Sequence, residues 1–382
     1  MGTDIMEASP CRPVLDKVLF FSVFALILLG LVSVTSSSMP TSVWQGQGSF
    51  YYFFKQGIFA ILGLVGLVGL LSIPTSAYQS LFKVWLVAAV ILLVMVLIPH
   101  IGHSVNGSKR WILLGPIALQ VSEFVKLFGV MFVAQYMIQY RESVFEKPFG
   151  VLIPIAILGV FGILLLLEPD FGATVVLFVT CFGMMFMAGV RARWFVLFVL
   201  LGAIIVPALV ILSPYRMARF TGFLHPWDTA YTTGYQLTQS LIAVGHGGIF
   251  GVGLGNSVQK LFYLPEANTD FVLAIFAEEL GLIGLLGLLA LYALVVFRGL
   301  KIAYASQLLN RLFASYVAYG LTFWIALQVI VNVGVNIGLL PTKGLTLPFM
   351  SYGGSSLVVD TLVIGILLRI DLENQTLEAV KP

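Results

Sequence analysis

The chain has 382 residues, of which 59% are hydrophobic and only 10% charged, whereas a soluble domain carries about 25% charged residues. A mean hydropathy of +1.03 therefore excludes a soluble globular protein. The apolar residues run in long blocks rather than alternating, which excludes an outer-membrane barrel and leaves an all-α polytopic membrane protein. A net charge of +3 without a basic tract gives no reason to expect nucleic acid as a partner.

In chain order, a polar N-terminal segment (1–17) leads into ten predicted spans at 18–35, 53–72, 82–99, 118–138, 149–167, 171–189, 194–212, 271–297, 312–334 and 350–369. Each is long enough to cross about 30 Å of hydrocarbon. The membrane domain thus covers 18–370, and a tail covers 371–382. The first block, followed by Ser36–Ser38, faintly resembles a secretory signal, but its length favours a retained span. Cys11 and Cys181 fall at different depths, so no disulfide is expected. An even number of spans puts both termini on one side of the membrane. With that side cytoplasmic, twelve of the twenty Lys and Arg residues lie inside, seven outside and Lys126 within a span. This is the positive-inside orientation.

Residues 213–269 form a long polar outer loop between the seventh and eighth spans, and loops of this length usually carry function. Its glycine-rich run Gly245–Gly255 lacks the Gly-Lys-Ser/Thr ending of a phosphate loop, so turns explain it better than nucleotide binding. The loop is expected to fold against the membrane surface. No internal repeat of the transporter kind is visible.

Asp270 closes that loop immediately before the eighth span. It reads either as a helix N-cap or as a base, and the two roles compete because helix amides stabilise the carboxylate. Glu278 and Glu279 lie about 12 Å further along the same span, where an ionised group needs a cavity, a proton or a hydrogen bond to another helix. In the fourth span Glu123 and Lys126 are three residues apart and can pair. Arg110 offers a fork suited to phosphate oxygens, or with Trp111 an anchor to lipid headgroups. Asp170, after Glu168-Pro169, is placed to cap the sixth span. His225 and His246 have no neighbours at metal-ligand spacing. Together these residues suit an outward-facing site for an anionic, lipid-linked substrate, without naming a reaction.

The motifs Lys109-Arg-Trp-Ile112, Gln120-Val-Ser-Glu-Phe-Val-Lys126, Glu168-Pro-Asp-Phe-Gly172, Gly234-Tyr-Gln-Leu237, Leu264-Pro-Glu-Ala-Asn-Thr-Asp-Phe271 and Pro348-Phe-Met-Ser-Tyr-Gly-Gly-Ser-Ser356 occur in that order. In order and spacing they resemble the SEDS family of peptidoglycan glycosyltransferases, over about residues 15–370. Gly253–Ser257, Tyr263–Ala267 and Leu340–Pro348 resemble its cell-division members rather than its elongation members. The resemblance implies a ten-helix enzyme of the bacterial cytoplasmic membrane, acting at the division septum, that polymerises lipid II into glycan strands on the outer face. Asp270 matches the family aspartate and would be the general base, with undecaprenyl pyrophosphate leaving. Arg110, Glu123, Lys126 and Lys343 match family positions and would bind substrate. Arg216, Arg219 and Lys260 are further candidates from outer charge. The resemblance implies a class B penicillin-binding protein of the FtsI type and other divisome proteins as partners, surrounding membrane lipids, and room for a divalent cation (Mg2+ or Mn2+). Three positions depart from the usual pattern: Asn268 where His is common, Val121 where Pro is common, and His246 where Ser is frequent. The competing readings are a lipid II flippase, for which the buried Glu123, Lys126, Glu278 and Glu279 offer a polar path, and a non-catalytic divisome scaffold.

Overall fold

A computed structural model of the chain describes residues 14–105, 108–115, 117–147, 149–342 and 344–379. The helices are α1 (Lys17–Trp44), α2 (Tyr51–Leu71), α3 (Thr75–Ser80), α4 (Phe82–Leu97), α5 (Val121–Gln139), α6 (Arg141–Phe145), α7 (Leu152–Leu167), α8 (Phe171–Met187), α9 (Ala192–Ile211), α10 (Pro214–Leu224), α11 (Tyr235–Gly247), α12 (Val272–Leu308), α13 (Leu312–Asn336) and α14 (Gly354–Glu378). Six of them, α1, α2, α5, α9, α12 and α13, are long and apolar enough to cross a bilayer. The shorter α4, α7 and α8 are equally apolar, and α14 is more polar because it carries Asp360, Arg369, Asp371 and Glu373. The chain is a helical polytopic membrane protein, and each predicted span overlaps one of these ten helices.

Between α4 and α5 the structure adds a small antiparallel meander, β1 (Gly102–Val105), β2 (Ser108–Leu114) and β3 (Ile117–Gln120), in strand order β1-β2-β3. Trp111 pairs with Gln120 and Ile112 with Leu119, so β2 presents Arg110 beside the start of α5. The predicted fourth span begins at 118, whereas α5 begins at Val121, after β3. A four-residue strand carries too little periodicity to be separated from a connection.

The seam formed by Ser36–Ser38 lies inside α1, where Ser37 and Ser38 are buried. There the small residues let α1 pack closely, and Ser36 Oγ donates to Glu279 Oε1 at 2.6 Å. Residues 213–269 fold into α10, α11 and ordered turns. A separate apolar cluster of Ala243, Leu264, Ala267, Phe271, Ala274, Ile275 and Val335 joins α11 and the turns to the first part of α12 and the end of α13.

The eighth span is broken. Gly281 sits at φ 67° and ψ −165° inside α12, a left-handed backbone that side chains disfavour. The glycine-rich run supplies the hydrogen bonds the break removes. The N–H groups of Val252 and Gly253 donate to the carbonyls of Glu278 and Glu279 at 3.0 Å each, while those of Leu282 and Ile283 donate to Gly248 and Ile249 at 2.9 and 3.2 Å. A Cβ on Gly251 would lie 2.2 Å from the Glu279 carbonyl oxygen, so the run is glycine-rich because two backbones touch. Its turns do structural work at the break, which accounts for the composition without any bound phosphate.

The far end of the bundle is closed by charge. Asp16 caps α1 through the Leu19 N–H and pairs with Arg298. Glu373 pairs with Arg311 and with Arg369, the latter at 2.9 Å.

Candidate functional site

The site gathers where the turn 264–271 meets the segment 341–352. Ser351 Oγ donates to the Thr269 carbonyl at 2.6 Å, the Tyr352 N–H donates to the Asn268 carbonyl at 2.8 Å, and Ser351 Oγ also accepts the Leu347 N–H at 2.8 Å. Asp270 stands at this junction. Its carboxylate does not cap α12, whose N-cap is Phe271 without a side-chain bond, and among the described residues it accepts no hydrogen bond. The capping reading of Asp270 is therefore corrected. The segment after Thr342 passes close by, with a Cβ built on Gly344 lying 3.2 Å from Asp270 Oδ2.

Burial first and then the charge of Glu266 raise the Asp270 carboxyl, against the pull of Arg219 and Arg110, from 3.8 to about 7. A carboxylate poised near neutrality, flanked by two guanidinium groups, can accept a proton at working pH and sits beside positive charge suited to phosphate oxygens.

The candidate cations divide into those near this junction and those elsewhere. Arg110, from β2, donates through Nη2 to the Pro169 carbonyl at 2.5 Å and approaches Asp170 Oδ2 at 3.8 Å. Arg219, on α10, donates to the Thr342 carbonyl at 3.3 Å and lies over the Tyr215 ring. Arg216, one turn earlier, donates to the Leu209 carbonyl at 3.0 Å and covers Phe171. Lys343 lies outside the described residues. Lys260 is not available in this structure: its ammonium is buried, pairs with Glu279 Oε1 at 2.8 Å and donates to Ser36 Oγ at 2.9 Å.

Glu123 and Lys126 form the expected pair at 2.8 Å, buried in the bundle, with the ammonium 4.6 Å from the Trp324 ring centre. Their helix reaches the junction through its N-terminus, where the Gln120 N–H donates to Ser355 Oγ at 3.0 Å and Ser355 Oγ donates to the Ala118 carbonyl at 2.8 Å. Asp170 caps α8 by accepting the Ala173 N–H at 3.1 Å, as its position after proline suggested. Beside it, burial and the charge of Asp170 push Glu168 up to about 9 against the pull of Arg110, which makes it a neutral acid at pH 7.

Glu278 and Glu279 serve as anchors for the outer loop. Glu278 accepts from Ser257 Oγ, from the Val258 and Gln259 N–H groups at 3.2 and 3.3 Å, and meets His246 Nδ1 at 2.9 Å. Glu279 accepts from Ser36 and Lys260. The expectation of a polar path at mid-membrane depth assumed an unbroken helix. The break at Gly281 instead brings residues of the 246–260 loop onto these carboxylates.

Among the described residues no three His, Cys, Asp or Glu side chains converge as metal ligands. The residues that sequence reasoning missed are Asn332 and Asn336 on α13, whose amides hold the Asp270 carbonyl, and the buried Asp360 on α14. A signal existed for each: a carboxylate inside an apolar helix, and two amides four residues apart on one helical face.

The family model described as a cell cycle protein and named for FtsW, RodA and SpoVE matches residues 16–376. A relative from Legionella pneumophila, called "Probable peptidoglycan glycosyltransferase FtsW", is 50% identical over 94% of this chain and 91% of its own length. One of the same description from Coxiella burnetii is 48% identical over 94% of this chain and 97% of its own. Among solved structures, a chain from a study of structural coordination of polymerization and crosslinking by a peptidoglycan synthase complex aligns with a TM-score of 0.77 at 28% identity, covering 94% of this chain and 98% of that one. The Thermus thermophilus rod shape determining protein RodA aligns with a TM-score of 0.70 at 27% identity, covering 94% and 97%. By this match along nearly its whole length, the chain belongs to the FtsW/RodA/SpoVE family of SEDS proteins.

Proposed function

We propose that the protein is a peptidoglycan glycosyltransferase that polymerises lipid II into glycan strands during septal cell-wall synthesis. The observation that carries this reading is the Asp270 carboxylate, left out of helix capping beside the segment that carries Gly344, raised by burial and pulled back by the charges of Arg219 and Arg110. In the reaction, Asp270 takes the proton from the GlcNAc 4-hydroxyl of the acceptor. The freed oxygen bonds to the anomeric carbon of the donor MurNAc, and the bond from that carbon to the diphosphate breaks. Undecaprenyl pyrophosphate departs, and attack from the opposite face converts the α linkage to β. Arg110 and Arg219, with Arg216 and Lys343, stabilise the charge gathering on the diphosphate. The Glu123–Lys126 pair supports the site from within the bundle at the base of the junction. Lys260 is assigned to holding the outer loop.

In this proposal ten helices span the cytoplasmic membrane, both termini are cytoplasmic, and the 213–269 loop faces outward, consistent with the excess of inner Lys and Arg. The partner is a class B penicillin-binding protein of the FtsI type, supported by the similarity to a chain of a peptidoglycan synthase complex. The flippase reading loses two of its four supporting residues, because Glu278 and Glu279 are occupied by loop contacts. The test is glycan polymer formation from purified lipid II by the protein co-purified with its penicillin-binding partner, comparing wild type with Asp270→Ala at matched folding and complex yield. Polymer from wild type alone supports the assignment, and polymer from both rejects Asp270 as the base. Polymer from neither, with the complex intact, favours a flippase or scaffold.

A further inference from the structure

The first turn of any helix leaves unpaired amides, and an aspartate just before it is well suited to accept them. Hydrogen bonds of that kind hold a carboxylate in its charged form and weaken it as a base. Asp270 has the sequence position for this fate and escapes it, because another residue does the capping. Asn336 Oδ1 accepts the Ala274 N–H at 3.1 Å, and its Nδ2 donates to the Asp270 carbonyl at 3.2 Å. The Ala274 N–H is shared with the Phe271 carbonyl at 3.0 Å, so one side-chain amide links the first turn of α12 to the backbone of Asp270. Asn332, one turn earlier on α13, donates from Nδ2 to the Asp270 carbonyl at 3.1 Å and to the Leu345 carbonyl at 2.7 Å.

The orientation of Asn336 follows from its surroundings. Its Nδ2 also donates to the Asn332 carbonyl at 2.9 Å, and its own carbonyl accepts Ser240 Oγ at 2.8 Å. Turning the amide over would set its Nδ2 against the Ala274 N–H, donor against donor. Both asparagines are buried, at 2% and 0% exposure, so unpaired amides there would be costly.

We propose that Asn332 and Asn336 are positioning residues for the Asp270 carboxylate: Asn336 caps α12 in its place, and Asn332 fastens its backbone to the segment that carries Gly344 and Leu345. The proposal rests on Asp270 being the base of the polymerase. The charged groups that face Asp270 are Glu266 from its own turn, Arg219 from α10 and Arg110 from β2, with Lys343 adjacent to Gly344 in sequence. A neutral amide at 336 caps the helix without adding a second carboxylate to this set.

Two substitutions at the same position give opposite signs. In Asn336→Val the Ala274 N–H loses its side-chain acceptor and turns to Asp270, which becomes a weaker base. The rising limb of the pH–rate profile then moves to lower pH by about one unit and kcat falls about tenfold, with KM for lipid II unchanged. In Asn336→Asp the cap acceptor is restored but a like charge is added, so the limb moves to higher pH. A residue that only supported the fold would move both variants together. The experiment is lipid II polymerisation against pH by the complex with its penicillin-binding partner, with folding followed by thermal melting. Opposite shifts support the proposal; unchanged profiles, or shifts in one direction, overturn it. If Asn336→Val does not fold, Asn332→Val tests the same claim: lowered kcat at constant KM supports it, and wild-type kinetics overturn it. The wild-type reaction run alongside separates the two claims, since its failure would count against the polymerase and not against the asparagines.

Discussion

Replacing Asp270 by asparagine should make the protein inactive and, at alkaline pH, more stable. A carboxyl that titrates at about 7 instead of 3.8 is destabilised when charged, and the difference corresponds to about 4 kcal/mol as an upper figure. The side chain is partly exposed, so water screening reduces this. The sign follows from linkage. A group whose folded value is raised contributes its full stability below its unfolded value and loses it as pH rises through the folded one. The charge cost of Asp270 is therefore absent near pH 4, grows through pH 7 and is complete near pH 8. Asp270→Asn, neutral throughout, should melt above wild type at pH 8, with the gap narrowing on acidification and closing near pH 4. The assay is tryptophan-fluorescence melting in detergent at several pH values. A variant no more stable than wild type at pH 8, or one whose advantage does not depend on pH, would refute the argument that this carboxylate is held in an unfavourable charged state for chemistry.

Wild-type polymerisation should rise with pH through about 7, as Asp270 loses its proton, and Arg219→Gln should move that limb to higher pH; a flat profile from pH 5.5 to 8 would count against Asp270 as the base. Lys260→Met strands a buried Glu279 and should destabilise the protein by about 3–5 kcal/mol, while activity per folded molecule is retained; weakened lipid II binding in a fully folded variant would return Lys260 to the substrate site. Gly281→Ala places a Cβ 2.4 Å from the Gly251 nitrogen at a left-handed backbone, so folded yield in detergent should collapse, whereas Gly287→Ala, with nothing within 4 Å, should behave as wild type.

Much of the fold was legible because its signal is local. A block of apolar residues specifies a span by the cost of unsatisfied backbone in lipid, and each of the ten blocks overlaps a helix. The Glu123–Lys126 pair and the Asp170 cap were equally readable, since three residues along a helix or at its start fix who meets whom. The short strands β1–β3 were not legible, because their periodicity is too brief to register.

What the sequence determined by itself was the membrane class, the apolar blocks that become helices, and the family. What only the tertiary structure decided was which charges are free. Position alone left Asp270 as either a helix cap or a base, Lys260 as a candidate substrate ligand, and Glu278 and Glu279 as either a polar path or structural hydrogen-bonding groups. The break at Gly281, the loop folded onto Glu278 and Glu279, and the Asn336 amide reaching across from α13 supply the partners of these groups. The physical reason is that a charged or polar group in a low-dielectric interior must find a partner, and that partner comes from whichever segment packs nearest in space, which spacing along the chain does not encode.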